Sequence, residues 1–497
     1  MRFRRFSSHL FIGLLAFACA WFWNGWNVRA MQHALPDQLR YGVTVMTTDD
    51  ASYLRAVDDL LDPPREVYEA RVDLRAPGYR MWYLLPRFFL PVPTALHVLV
   101  VLQCLLFACS VALLWEVFLV FGLAPIVRWT FALMLAVVPT FQGFLFYTLT
   151  EAVTPALVLG VVCCALLGKR AKGNGWLWAA GVLWALLMVT RPVLAWAGLP
   201  LLHVLWSRSG GWKGAGRVML VSLLAFVPTG IWWANNMRIA GGYVGLHPVY
   251  RADEPGINRP THEAFWELAK SWGTAGDTFH SIMEPAFQEA LVGDTAHAFA
   301  ERFIATAPAR SLTPAQADAI RAEFMAWQRF TCLALAPALA TTERALAAQP
   351  EEQRIIERIS AITSTYRSEH AWNYHVEVPA RVLRQLIAHS NLNLYLFQHT
   401  LRGTTMMEAF RWCSAALHAA LLLGLFFAMW WSMDPIVRSA ALGAGLYLLY
   451  LAYVQRGVEE RYTLPVLHLA VLCAAFMRDA LTRAWTAWRA ARGPVKS

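Results

Sequence analysis

Ten runs of apolar side chains punctuate this chain, and they leave it few ways to fold. The first follows the basic residues Arg2, Arg4 and Arg5 and closes on Trp21, Phe22, Trp23 and Trp26. The others fall at roughly 95 to 121, 129 to 147, 150 to 167, 176 to 190, 193 to 206, 218 to 234, 412 to 432, 439 to 454 and 463 to 477. A helix satisfies its own backbone hydrogen bonds without water, so such runs fold as helices in hydrocarbon. Composition agrees: 57% of the 497 residues are hydrophobic and 15% are charged, where a soluble domain is about a quarter charged. The expected class is an all-α polytopic membrane protein, a bundle of about ten transmembrane helices with a helical domain on one side.

The expected organisation is a first transmembrane helix at 1–27, a first outer loop at 28–94, helices two to seven at 95–234, a mostly helical outer domain at 235–405, helices eight to ten at 406–478 and a basic tail at 479–497. Direction comes from the cations in the short loops: Arg2, Arg4 and Arg5, Arg128, Lys169, Arg170 and Lys172, Arg208, Lys213 and Arg217, Arg438, and Arg478 onward. With ten spans all of them fall on one side, the cytoplasmic side of the positive-inside pattern, with both termini there. This placement accounts for the net charge of +10 without a nucleic-acid partner.

Two points in this map need argument. Ala18-Cys19-Ala20 resembles a signal-peptide cleavage site, but the apolar character runs on through Trp26, which suits a retained signal-anchor. The runs flanking Arg191-Pro192 are short. Fused into one span from Trp176 to Trp206 they would reach about 46 Å across a core of about 30 Å, with Arg191 at the centre. Two spans with Arg191 at the outer face avoid both problems.

The eight cysteines show neither a disulfide framework nor a metal-ligand spacing. In the outer domain, Thr313-Pro314-Ala315-Gln316 has the form of a capping box, and Ile320, Phe324 and Trp327 give the helix that follows one apolar face. The domain is expected to pack as a lid over the membrane part. His97, His203, His418 and His468 have no metal-like spacing and read as packed polar residues.

Chemistry is expected in the first outer loop. Asp49 and Asp50 are expected to open an amphipathic helix whose Tyr53, Leu54, Val57, Leu60 and Leu61 would lie on the membrane surface. Arg71, Arg75 and Arg80 surround the Pro77-Gly78-Tyr79 turn, where the glycine would allow a sharp path that presents the arginines to an anion. Glu151 lies at the outer end of the fourth span, where a carboxylate beside hydrocarbon needs a polar partner. Arg191, Arg238 and Arg461 also fall near the outer ends of spans. No Walker-type phosphate loop, G-x-S-x-G elbow or H-E-x-x-H is present.

In order, Thr48-Asp49-Asp50-Ala51-Ser52-Tyr53, Arg75-Ala76-Pro77-Gly78-Tyr79, Leu149-Thr150-Glu151, Thr190-Arg191-Pro192, Asn235-Asn236-Met237-Arg238 and Glu460-Arg461-Tyr462-Thr463 resemble the GT-C superfamily of membrane glycosyltransferases. The likeness is to the branch with the protein O-mannosyltransferases and lipid A aminoarabinose transferases. It implies an inverting transfer of a sugar from a polyprenyl-phosphate donor to a lipid, glycan or protein acceptor at the periplasmic face, among membrane lipids. Under that resemblance Asp49 is the general base, Asp50 and Glu151 are secondary acids, and Tyr53, Arg75, Tyr79, Arg191, Arg238 and Arg461 line the substrate site. Relatives often carry Glu at the position of Asp50. No cofactor is required, although a divalent metal could assist. A bacterial plasma membrane is the expected location, since no organelle-targeting tail and no added soluble module are seen. The rival readings are a lipid-linked sugar flippase or transporter, which would place polar groups at the midplane, and a non-catalytic scaffold.

Overall fold

The computed structural model describes residues 2–34, 36–45, 50–61, 75–245, 256–295, 298–309, 311–341, 349–388, 403–456 and 460–491. It divides into two compact units: Met1–Leu246 with Ile387–Tyr447 and Glu460–Ser497, and His247–Leu386 with Leu448–Glu459.

The first unit opens with α1 (Arg2–Ala34), a two-stranded ribbon of β1 (Leu39–Arg40) and β2 (Thr44–Val45), α2 (Asp50–Leu61) and α3 (Gly78–Arg87). The ribbon is antiparallel, pairing Leu39 with Val45 and Arg40 with Thr44. Next come α4 (Val92–Val120), α5 (Pro125–Val137), α6 (Thr154–Arg170), α7 (Gly175–Thr190), α8 (Leu199–Ser209) and α9 (Gly211–Ala240). From Thr154 to Gly168, α6 is buried on every side. A helix apolar all round belongs in the middle of a bundle, and α6 packs against α4, α7 and α8 and against the last helix of the chain.

Among the described residues six helices are long and apolar enough to cross a membrane: Ser7–His33, Val92–Val120, Gly211–Ala240, Thr405–Trp431, Pro435–Gln455 and Arg461–Thr486. This corrects the expected bundle of about ten. The runs at 129–147, 150–167, 176–190 and 193–206 carry helices of 13, 17, 16 and 11 residues. Prolines set these lengths: Pro139 follows the end of α5, Pro155 opens α6, and Pro192 follows the end of α7. A proline removes a backbone donor and biases the residue before it away from the helical region. After Arg191, itself extended at φ −153° and ψ 90°, a 3-10 segment runs from Pro192 to Gly198 and turns back on α7. Trp184 Nε1 donates to the Ala195 carbonyl at 2.9 Å. The single long helix from Trp176 to Trp206 is therefore absent, as the cost of a central arginine requires.

Three contacts join segments that the alternation of spans puts at the same end. His9 meets Glu116 at 2.7 Å, Lys169 meets Asp434 at 2.7 Å, and Asp479 Oδ1 accepts from the Ala124 amide at 3.1 Å.

The second unit consists of α10 (Pro260–Trp272), α11 (Ala275–Thr278), α12 (Glu284–Leu291), α13 (Ala298–Ala305), α14 (Pro314–Phe330), α15 (Ala336–Ala340), α16 (Pro350–Glu369) and α17 (Val378–Ile387), the last ending at its border. Its core is aromatic, with Phe265, Trp272, Phe303, Phe324, Trp327 and Tyr366 buried together. The capping box at Thr313 and Gln316 forms, and Ile320, Phe324 and Trp327 point inward. Within this core Arg259 and Glu352 make a buried ion pair, with Arg259 Nε donating to Glu352 Oε1 at 2.6 Å. Loss of either partner would strand the other charge, a penalty of about 3–5 kcal/mol. The first unit resumes with α18 (Thr405–Trp431), α19 (Pro435–Tyr450) and α20 (Leu464–Ala491).

His262 gives the second unit an acid sensitivity. Burial pushes its pKa down from 6.5 to about 3. Between these values the unfolded chain takes up a proton that the folded chain refuses. Its contribution to stability is full above pH 6.5 and falls as pH drops toward 3, by up to about 1.4 kcal/mol per pH unit. His262→Phe, which retains an aromatic ring beside Phe279 and Trp327, should lose less stability than the parent between pH 6.5 and 4 in thermal unfolding. Identical pH profiles would exclude His262 as a source of that loss.

Candidate active site

Glu151 lies in a 3-10 turn, Thr150–Ala152, that leads into α6. Only 5% of it is exposed. A carboxylate so placed stays ionised only beside cations or donors, and the fold brings both. Arg191 Nη1 donates to Glu151 Oε1 at 2.7 Å, and the Thr150 hydroxyl donates to Oε2 at 3.0 Å. Arg461 approaches from the 3-10 turn before α20, its Nε 3.9 Å from Oε1. Both guanidiniums lie over the ring of Tyr462, at 5.2 Å for Arg191 and 6.0 Å for Arg461.

The backbone around these groups explains their convergence. Pro192 ends α7 one residue early, so Arg191 leaves the helix in an extended conformation. The turn that carries Arg461 is pinned twice. The Tyr447 hydroxyl donates to the Tyr462 carbonyl at 3.0 Å, and His418 Nε2 accepts from the Thr463 hydroxyl at 2.9 Å while Nδ1 donates to the Ile387 carbonyl at 3.1 Å.

The segment between α1 and α4 is held against the same place. Val45 donates from its amide to the Phe146 carbonyl at 3.1 Å and bridges Tyr147, which lays the ribbon beside the chain leading to Glu151. Tyr53 packs edge-on against Tyr79 at 5.4 Å, and the Arg75 guanidinium lies 5.6 Å from the Tyr53 ring centre. The Tyr79 hydroxyl donates to Gln103 Oε1 at 2.8 Å, and Gln103 Nε2 donates to the Leu145 carbonyl at 2.7 Å. Tyr53, Tyr447 and Tyr462 all lie within electrostatic range of Arg191. A second cluster ties α2 to α3 and the ribbon: Asp58 accepts from Arg40 at 2.9 Å, Tyr83 at 2.9 Å and Arg87 at 3.1 Å.

Of the residues expected at the site, Tyr53, Arg75, Tyr79, Glu151, Arg191 and Arg461 thus come together in one linked set. Asp49 lies outside the described residues, as does Arg71. Asp50 begins α2, and its side chain is outside the described ones. Arg238 stands exposed in the last turn of α9, where it donates to Asn235 Oδ1 at 3.0 Å. None of its described contacts reaches Glu151.

Two expectations about the loop change. The apolar face of α2 does not lie open to the membrane surface: Tyr53, Leu54 and Val57 are buried, because α3 packs against it, and Leu60 is exposed. Gly78 does not serve a left-handed turn, since its φ is not positive. It serves a close approach. A Cβ at Gly78 would sit 2.5 Å from the Thr190 amide nitrogen, so the residue before Arg191 lies directly against the first-loop helix.

Sequence reasoning passed over Gln103, Tyr447 and the ring of Tyr462. Gln103 carried a usable signal, a lone amide inside the apolar run of α4. Among the described residues no three His, Cys, Asp or Glu side chains stand together as a metal site. The chain matches no family model, no curated protein and no solved structure.

The close approach at Gly78 is testable. Gly78→Ala should lower the thermal midpoint of the purified protein by the equivalent of about 1–3 kcal/mol, the usual effect of overpacking. Gly216→Ala, where an added methyl group meets nothing within 4 Å, should leave it unchanged or slightly higher. Equal midpoints for the two variants would contradict this packing.

Proposed function

We propose that this protein is an inverting glycosyltransferase of GT-C type, which moves a sugar from a polyprenyl-phosphate donor to a lipid, glycan or protein acceptor. The observation that supports it best is the convergence of Arg191 and Arg461 on the buried Glu151, with Tyr53, Arg75 and Tyr79 joined to the same set. These residues come from four distant stretches of sequence. In this reading the membrane part lies in a bacterial plasma membrane, with both termini in the cytoplasm and the Glu151 set at the periplasmic face.

The chemistry follows from charge. The acceptor hydroxyl or amine attacks sugar C1 in line with the departing phosphate. Its bond to C1 forms as the C1–O bond to phosphate breaks, and the anomeric centre inverts. The acceptor proton passes to Asp49, a contribution of about a hundredfold to ten-thousandfold when the base is well placed. The leaving group is a polyprenyl phosphate, and fixed guanidinium charge stabilises the negative charge that grows on it. Arg75, Arg191 and Arg461 fill that role, since arginine stays protonated and pairs with phosphate oxygens as a fork. Glu151 sets where Arg191 points and keeps a buried cation from repelling its neighbour. Asp50 orients the acceptor at the start of α2. Arg238 would bind the donor from the end of α9.

A flippase for the same lipid would share one feature, the broken helix at Arg191 and Pro192. Transfer separates the two readings. With a radiolabelled polyprenyl-phosphate sugar and membranes containing the protein, label should appear in an acceptor fraction, and Asp49→Asn should abolish transfer by at least about a hundredfold while donor binding persists. Full transfer by Asp49→Asn would remove the proposed base, and movement of the lipid with its glycosyl bond intact would favour the flippase.

A further inference from the structure

We infer that one buried water binds beside Glu151, held by Thr140 and His468, and that it helps to fix the carboxylate that Arg191 engages. The chamber for it has about 10 Å3 of room, which suits a single water and nothing larger. Glu151, Thr140 and His468 line it together with Phe107, Phe141 and Leu464. Two of the lining residues, Thr140 and His468, are each 2% exposed.

The donors and acceptors around the chamber match a water. His468 Nε2 donates to the Phe141 carbonyl at 3.1 Å, so the neutral ring carries its proton there and presents Nδ1 as an acceptor. Among the described residues neither Nδ1 nor the Thr140 hydroxyl has a hydrogen-bond partner. Leaving a buried polar atom unsatisfied costs about 1–3 kcal/mol, and here the two residues that carry such atoms line one small space. Glu151 already accepts from Arg191 on Oε1 and from Thr150 on Oε2, but a carboxylate has about four acceptor positions. A water would give one proton to His468 Nδ1 and one to Glu151, and would accept the Thr140 proton. Buried waters typically make about three such bonds.

The arrangement names His468 and Thr140 as positioning residues that act on Glu151 through the water. It would link two neighbouring turns, Pro139–Phe141 and Thr150–Ala152, to the distant start of α20 at Leu464. A larger polar ligand does not fit the room available, and an apolar one would leave the polar atoms unsatisfied.

The test is a cryo-electron microscopy map of the full-length protein in lipid nanodiscs, at a resolution that shows ordered waters elsewhere. One density peak is expected within hydrogen-bonding distance of Thr140 Oγ1, His468 Nδ1 and the Glu151 carboxylate. Thr140→Ser should keep it and Thr140→Val, equal in size but without the hydroxyl, should lose it. A wild-type map with no peak in the chamber overturns the inference, as does a peak that persists unchanged in Thr140→Val. If Thr140→Val yields no folded protein, the wild-type map decides alone. Neither result depends on whether the protein transfers a sugar.

Discussion

A carboxylate with almost no access to water cannot remain charged by itself, and Glu151 is the point at which this chain meets that constraint. Its partners Arg191 and Arg461 are 40 and 310 residues away in sequence. The start of α6, the end of α7 and the turn before α20 must therefore meet before any of them is stable. In a low-dielectric setting the Coulomb attraction is large and so is the desolvation penalty. The net gain is modest, while the penalty for losing one partner is severe, so the arrangement specifies a geometry more than it adds stability.

The surrounding architecture serves that geometry. Helices that end at proline leave short lengths of backbone outside α-helix beside the buried charges, at 139–153 and at 191–198, much of it in 3-10 turns. Such backbone is tolerated at membrane depth only where protein covers it, and residues 140–156 are buried throughout. Gly78 brings the first loop into backbone contact with Thr190, which places Arg75 and Tyr79 beside a segment that the sequence separates from them by over a hundred residues. The same economy of space leaves a chamber of about 10 Å3 beside Glu151.

Much of this was legible from residues alone. Each apolar run does carry helix, the break at Arg191 and Pro192 follows from helix length and the burial of charge, and the capping box at Thr313 forms as its residue types require. What periodicity misses is anything decided by tertiary contact. The hydrophobic face of α2 reads equally well as a membrane-surface face and as a face against α3, and only the position of α3 decides. The length of α5 depends on one proline in a run whose composition stays apolar beyond it. Arg191, Arg238 and Arg461 look alike in sequence, each an arginine near the end of a span. Arg191 and Arg461 face a buried acid, whereas Arg238 faces solvent and Asn235. The second unit also takes in Leu448–Glu459, a long-range return that no local pattern announces.

The most direct measurement is a double-mutant cycle across Glu151 and Arg191, with Glu151→Gln, Arg191→Met and the pair compared by reversible denaturant unfolding in mixed micelles. If the buried carboxylate and guanidinium depend on each other, the single variants are each strongly destabilised and the double variant much less than their sum, with a coupling energy of about 1–3 kcal/mol. Additivity within about 0.5 kcal/mol would show that the two side chains do not sense one another, and the site built around them would not stand.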